Sequence, residues 1–371
     1  MRRLRMGMIG GGPGAFIGPV HRFAAEMDRE IELVAGVFSS DAARSRAAGE
    51  AYRIDPARAY PTLDAMISSE AARDDGIDFV SVVTPNHNHL PSARTALAHG
   101  LPVITDKPLT ATMAEAHEMA EIVQQAGLPF GVTYTYSGYP LVREARARIA
   151  AGEIGKIRKV VVEYPQGWLA GEASGKQAEW RVDPARAGLG GCIGDIGVHA
   201  FQLAEFVTGL RVTELLADLG AVVPGRVLDD DCSILLRFHN GARGVLLASQ
   251  IEVGELNGLR IRAYGETGGL VWKQETPNAL TLHRLDGRTE IVHAGGNHLG
   301  PDAASRTRTP AGHPEGYLEA FANLYRDFAA LLRGETAPLL PGIADGVRGM
   351  TFIATAVAAS QARAGWVTLE P

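Results

Sequence analysis

Cysteine is nearly absent. Only Cys192 and Cys232 occur in 371 residues, which leaves no disulfide scaffold and no cysteine-based zinc site and suits a reducing, cytoplasmic setting. Long apolar runs are missing too, since no stretch approaches the roughly 20 uninterrupted apolar residues that a membrane-spanning helix needs. The opening MRRLRMGMIGGGPG begins basic and turns apolar, but the apolar run breaks at glycine without a small-residue cleavage site. It reads as a first strand rather than a signal peptide. Positive charge is also scarce, with 36 Lys and Arg against 42 Asp and Glu for a formal net charge of −6, so nucleic acid has no electrostatic footprint here. What is present is the composition of a globular enzyme, 46% hydrophobic and 21% charged, in a chain longer than one core usually organises. Two domains are expected.

The first third alternates short apolar runs with amphipathic stretches. LRMGMI (4–9), IELVAGVF (31–38), IDFVSVVT (77–84), LPVITD (101–106) and PFGVT (129–133) are apolar enough to be strands buried on both faces, as in a parallel sheet. Between the last two lies ATMAEAHEMAEIVQQAG (111–127), a helix that Gly127 closes. This βαβ rhythm predicts a doubly wound sheet. After about residue 150 the rhythm changes. IRKVVVEYP (157–165), CSILLRFHN (232–240), ARGVLLASQIEV (242–253), LRIRAYG (259–265), GLVWKQ (269–274) and ALTLHRL (279–285) are parted by NG, GE or GG turn signals and predict an antiparallel sheet built from hairpins. A helix over 195–209 interrupts them, 295–312 is a connection, and helices over 314–333 and 343–363 close the chain. The expected division is a dinucleotide-binding domain over 1–135 and a substrate-binding and oligomerisation domain over 136–371.

The first strand runs directly into GGGPGAFIGPVHR (10–22). Glycines at a strand-to-helix turn let the backbone approach a pyrophosphate, whose charge then meets the helix N-terminus. Gly10, Gly12 and Ala15 fit G-x-G-x-x-A, and Pro13, Gly14 and Phe16 complete the turn. An acid commonly ends the second strand of such a fold and binds the adenosine ribose; here Ser39 holds that place, followed by Ser40, Asp41 and Arg44. Asp41 would reach a ribose and Arg44 would pair a 2′-phosphate, so NAD and NADP both remain open. Ser39 or Ser40 would equally serve as a cap for the next helix. TPNHNH (84–89) follows the third strand and TDKPL (105–109) the fourth, at the sheet end where such folds bind ligands. Thr84, Pro85, Asn86, His89, Asp106 and Lys107 are therefore further cofactor-binding candidates. In GGCIGDIGVHA (190–200), Asp195 and His199 are four residues apart, on one face of a helix. A carboxylate beside an imidazole raises its basicity and fixes its orientation.

With the phosphate loop, TPNHNH, TDKPL and GDIGVH in this order, the chain resembles the Gfo/Idh/MocA oxidoreductases over nearly its whole length. DKP is similar to the family's E-K-P and GDIGVH to its G-D-x-x-x-H. The resemblance implies a Rossmann domain followed by an open, mostly antiparallel α+β domain, an active site between them, and homodimers or homotetramers assembled through the sheet. It further implies that Lys107, Asp195 and His199 surround a reacting hydroxyl beside the nicotinamide, and that the Lys107-Pro108 bond is cis. Three places depart from the family pattern. Gly12 and Gly18 flank five residues where two are common, with His21 matching the histidine that follows the loop. Asp106 replaces Glu, and TYTYSGYP (133–140) replaces a segment that often reads N-Y-R, with Thr135 at the nicotinamide contact.

The expected activity is oxidation of a secondary hydroxyl on a cyclic polyol, sugar or glycoside, with NAD or NADP as cofactor and no metal. His199, held by Asp195, is the expected base and Lys107 the donor to the reacting oxygen; Lys107 as base is the competing assignment. Polyols present apolar C–H faces and rings of hydroxyls, so aromatic and polar groups suit them. Tyr136, Tyr164, Gln166, Trp168, Trp180, Arg181, His313 and Tyr317 are the substrate candidates beside Asp195 and His199, with core packing the alternative role for Trp180 and Tyr317. Two other classes remain open at this point. One is a redox-neutral glycosidase that uses NAD transiently, and the other a non-catalytic dinucleotide sensor.

Overall fold

The computed structural model describes residues 2–171 and 183–370. The chain divides into two compact units, one of Met1–Tyr134 with Phe321–Val347 and one of Thr135–Ala320 with Arg348–Pro371. The segment 321–347, expected in the second domain, counts with the first unit.

In the first unit, β1 (Leu4–Gly10), β2 (Ile31–Val37), β3 (Phe79–Val83), β4 (Val103–Thr105) and β5 (Phe130–Val132) form a sheet of order β2-β1-β3-β4-β5, every pair of it parallel. Helices α1 (Ile17–Met27), α2 (Ala42–Tyr52), α3 (Leu63–Ala71), α4 (His89–Ala98) and α5 (Met113–Ala126) connect the strands. The five apolar runs become strands because β3 to β5 are buried at every residue and β1 at nearly every one, which is what layers on both faces of a parallel sheet require. Helix α5 carries a full capping box between Thr112 and Glu115 and ends at Gly127 with φ of 60°, the left-handed cap read from its sequence. Between β1 and β3 the connection changes direction, the switch point where such sheets bind ligands.

The second unit starts with α6 (Pro140–Ala150) and is built on a nine-stranded sheet. Its strands are β6 (Lys159–Pro165), β7 (Val212–Gly220), β8 (Asp231–Phe238), β9 (Arg243–Ser249), β10 (Arg260–Tyr264), β11 (Gly268–Lys273), β12 (Ala279–Arg284), β13 (Thr289–His293) and β14 (Val367–Thr368), in the order β13-β12-β11-β10-β6-β9-β8-β7-β14. All pairs are antiparallel except β6 with β9, which run parallel. Helix α7 (Val198–Thr208) packs on β6, β9 and β10, and α6 on β11 and β12. Of the two closing helices, α8 (Tyr317–Leu332) counts mostly with the first unit and α9 (Ile343–Gln361) mostly with the second. The connection 295–312 contains one helical turn, Pro301–Ala304.

Alternation along these strands sets one face against the helices and leaves the other open. In β8, Ile234 and Leu236 are buried while Leu235 is 44% exposed. The register carries that open face across the sheet through Leu216, Leu235, Val245, Val161, Arg262, Val271, Thr281 and Ile291, each paired with the next. No helix among the described residues is long and apolar enough to cross a membrane.

Candidate active site

The glycine turn lies where β1 ends, and the space around it explains its composition. A Cβ on Gly10 would sit 2.6 Å from the Val83 carbonyl oxygen, one on Gly12 2.2 Å from the Phe38 carbonyl oxygen, and one on Gly18 2.5 Å from the Gly11 Cα. The turn is therefore threaded between the ends of β2 and β3 with its own helix closed against it. Gly18, in α1, makes the tight helix-to-strand contact that the third small residue of the fingerprint provides. Ala15 lies in the turn itself, its N–H donating to the Gly12 carbonyl at 3.0 Å. Phe16 precedes α1 and is 61% exposed. A residue not anticipated, Tyr52, donates its hydroxyl to the Gly11 carbonyl at 2.6 Å from within the core, where burial pushes its pKa up to about 12.

After β2, the helix cap is neither Ser39 nor Ser40. Asp41 caps α2, its carboxylate accepting from the Arg44 N–H at 2.8 Å, while the Ser39 hydroxyl accepts from the Asp41 N–H at 3.2 Å. An acid already engaged in capping is a poor ribose ligand, and Arg44 is exposed beside it.

The two loops after β3 and β4 are tied together by His89. It is fully buried, with Nε2 2.9 Å from the Thr84 carbonyl and Nδ1 3.0 Å from that of Pro108 and 3.2 Å from that of Leu109. Burial holds its pKa below the ordinary histidine value, although Asp106 and these carbonyls pull the other way. The neutral ring has one N–H to give, and with backbone carbonyls facing both of its nitrogens His89 lies between TPNHNH and TDKPL and braces one loop against the other. Asn86 is buried on its short helical turn. The Lys107-Pro108 bond is cis. Asp106 accepts from the Lys107 N–H at 2.8 Å and from the Thr133 hydroxyl at 2.9 Å, so Thr133 fixes the carboxylate beside Lys107. Behind these loops His21 shares a hydrogen bond with the Tyr325 hydroxyl at 2.7 Å, and Ser81 completes the triad at 2.8 Å from Tyr325.

In the second unit, Asp195 and His199 are not on one regular helix. Ile193–Gly197 is a π turn that opens into α7, a local widening that inserts a residue into the helical repeat and often marks functional sites. Asp229 sets it up by accepting from the Gly191 and Ile193 N–H groups, both at 2.7 Å. Asp195 accepts from Gln250 Nε2 at 2.9 Å. His199 is 7% exposed, its ring edge-on to Tyr136 with centroids 4.8 Å apart and tilted against Tyr164 at 6.3 Å. The two tyrosine hydroxyls are hydrogen-bonded to each other. Burial raises the pKa of both, and the Asp195 charge adds to it.

Around this pair Asn257 accepts at Oδ1 from the Tyr164 hydroxyl and from Gln166 Nε2, both at 2.8 Å, and Trp168 Nε1 donates to Gln166 Oε1 at 2.8 Å. Tyr136, Gln166, Trp168, Asp195 and His199 are thus brought into one cluster, which Asn257 and Gln250 complete. His313 is not part of it: it is exposed, and its ring bonds the Pro310 carbonyl of its own turn, so the burial that made it a candidate is absent. Tyr317 is half-buried at the start of α8. Trp180 and Arg181 lie outside the described residues.

Comparison with known proteins fits this geometry. Residues 4–134 match the model of the oxidoreductase family with an NAD-binding Rossmann fold, and residues 142–271 that of a Gfo/Idh/MocA C-terminal domain. The oxidoreductase YfiI of Bacillus subtilis is 34% identical across 98% of this chain and 96% of its own. The chain belongs to the Gfo/Idh/MocA family of oxidoreductases. It is also 27% identical to the levoglucosan dehydrogenase of Pseudarthrobacter phenanthrenivorans, over 99% of this chain and 98% of that one. A crystal structure of an inositol dehydrogenase homolog from Azotobacter vinelandii in complex with NAD+ superposes with a TM-score of 0.95, at 37% identity over 99% of this chain and 97% of that one. A second structure of an inositol dehydrogenase homolog from that organism, with NADH and myo-inositol, gives 0.91 at 35% identity, over 99% and 98%. For this oxidoreductase the glycine turn at the switch point is a cradle that side chains would fill, and the residues present fit a dinucleotide.

Proposed function

We propose that the protein is an NAD-dependent dehydrogenase that oxidises a secondary hydroxyl of a cyclic polyol or sugar, with inositols as the first substrates to try. The observation that carries this reading is the cluster in the second unit, where Asp195 and His199 stand among Tyr136, Tyr164, Gln166 and Trp168. Rings offer apolar faces for C–H groups, and the hydroxyl and amides around them offer partners for several substrate hydroxyls. Gly10, Gly12, Pro13 and Gly14 would cradle the pyrophosphate against α1. Ser39, Ser40 and Arg44 would meet the adenosine ribose, and Thr84, Pro85, Asn86, Asp106 and Lys107 the nicotinamide half.

A dinucleotide held by these residues would supply the hydride acceptor for the carbinol carbon. The chain must then take the hydroxyl proton as the C–H electron pair leaves. His199 is the base we assign, with the Asp195 carboxylate stabilising the imidazolium that forms. Lys107 donates to the reacting oxygen and orients it. With no acid free at the end of β2, NAD is favoured over NADP only weakly. The open row from Leu235, 44% exposed, to Ile291, 54% exposed, supports a homodimer or homotetramer assembled through the sheet.

A panel of myo-inositol, scyllo-inositol, levoglucosan and D-xylose, followed by absorbance of the reduced cofactor with NAD and with NADP, tests the reading. Reduction of NAD by at least one member is expected. Purified protein that bound neither cofactor would overturn it, and release of an aglycone from glycosides without net redox change would replace it with the glycosidase reading.

A further inference from the structure

Four side chains around Asn257 form a relay whose direction is set at one end. An indole N–H only donates. Trp168 Nε1 therefore requires the oxygen of the Gln166 amide, which turns the Gln166 nitrogen toward Asn257 and requires Asn257 to present its own oxygen. That oxygen also takes the Tyr164 proton, and the Asn257 nitrogen is left to donate to the Tyr136 hydroxyl at 3.4 Å. With its proton committed to Asn257, Tyr164 meets Tyr136 only as an acceptor, so the Tyr136 proton lies in the bond between the two tyrosines. Tyr136 then has one lone pair without a partner among the described residues.

We infer that Asn257 is a positioning and specificity-determining residue: it makes Tyr136 an obligate acceptor, so that the substrate must present a free hydroxyl, and not an ether or carbonyl oxygen, at the place that meets Tyr136. The inference rests on the reading of Tyr136 as a substrate contact. Its physical basis is that a lone pair facing a second lone pair leaves both polar groups buried and unsatisfied, the situation that hydrogen-bond-reading sites use to reject analogues. The amide direction is independent of that reading, because the indole fixes it.

Two experiments test it. Neutron diffraction from deuterated crystals of the full chain should place the deuteron of Tyr136 toward Tyr164, that of Tyr164 toward Asn257, and the Asn257 nitrogen toward Tyr136. A Tyr164 deuteron pointing at Tyr136, or a reversed Asn257 amide, would overturn the relay. The kinetic arm compares myo-inositol with its monodeoxyfluoro isomers, in which fluorine keeps the size of a hydroxyl but donates nothing. For one fluorinated position other than the reacting one, kcat/KM should fall ten-fold or more in the wild type. Asn257→Leu, which frees the Tyr164 proton to turn toward Tyr136 and the Tyr136 proton toward substrate, should shrink that ratio at least ten-fold. Asn257→Asp, which keeps the acceptor, should preserve it. A purely structural role would lower kcat/KM for both compounds in parallel, and an unchanged ratio in Asn257→Leu would sink the inference. Failure to oxidise myo-inositol at all would instead count against the functional reading and leave the neutron arm to decide the relay.

Discussion

Acid should weaken the first unit through His21, and the size of the effect follows from where that ring sits. His21 is fully buried between Tyr325, Ser81 and Phe321, and burial lowers its pKa from 6.5 to about 4. The unfolded chain takes up the proton near 6.5 whereas the folded chain resists it, so the unfolded state binds more protons between those values and stability falls as pH falls. The contribution is intact above pH 6.5 and is lost progressively as pH drops toward and through 4. Between pH 7.5 and 4.5 the linkage amounts to about 2.5 kcal/mol for this one group. Because the pKa of His89 is also held down by burial, the wild-type curve should be steeper than one histidine explains. Subtracting the curve of His21→Gln isolates the first term. Urea unfolding across that pH range, with probes in the first unit, should show the wild type losing about 2.5 kcal/mol more than the variant. Parallel curves, or an imidazole signal of His21 that titrates near 6.5, would refute the reasoning.

Three further outcomes are expected. Gly12→Ala drives a methyl into the Phe38 carbonyl, where the neighbour is backbone and cannot swing aside; overpacking of this kind costs about 1–3 kcal/mol, and isothermal titration should show NAD affinity reduced ten-fold or more, with a normal value telling against the cradle. His199→Ala should lower kcat by about 10²–10⁴, the usual worth of a positioned base, and near-normal turnover would move the base to Lys107. Ser39→Asp places a carboxylate where β2 ends and, by repelling a 2′-phosphate, should raise the NAD-over-NADP ratio of kcat/KM at least ten-fold; an unchanged ratio would mean that the adenosine ribose lies elsewhere.

Most of the fold is legible because the strands of the first unit are buried on both faces and leave unbroken apolar runs that periodicity cannot miss. Where the run is diluted, reading fails. VTELLADLG of β7 is rich in Leu, Ala and Glu, good helix formers, and becomes a strand only because β8 and β14 supply its ladder. TEIVH of β13 is exposed at four of five positions, so it carries no alternation to read. Helix α6, PLVREARARIA, packs on the sheet through a face that the tyrosine-rich segment before it obscured.

The site divides in the same way, and the division has a physical cause. Lys107, Asp195 and His199 stand in short motifs, where identity and spacing travel together in the chain. The residues that hold them do not. Thr133 is 27 positions from Asp106 and Gln250 is 55 from Asp195. Asn257 sits in an Asn-Gly pair whose local meaning is a turn, yet its amide is spent on Tyr136, Tyr164 and Gln166, up to 121 positions away. His89 is the converse case, since a histidine in a ligand-facing loop invites a functional role and its bracing role shows only once three carbonyls are found on its ring. A motif records residue identity and spacing along the chain; the groups that fix the direction of its side chains are chosen by the sheet register and the loop packing, which bring distant positions together without leaving any spacing to read. The Asn257 relay is the sharpest case, because its proposed effect on specificity comes from the direction in which each amide points, a property that no residue name carries.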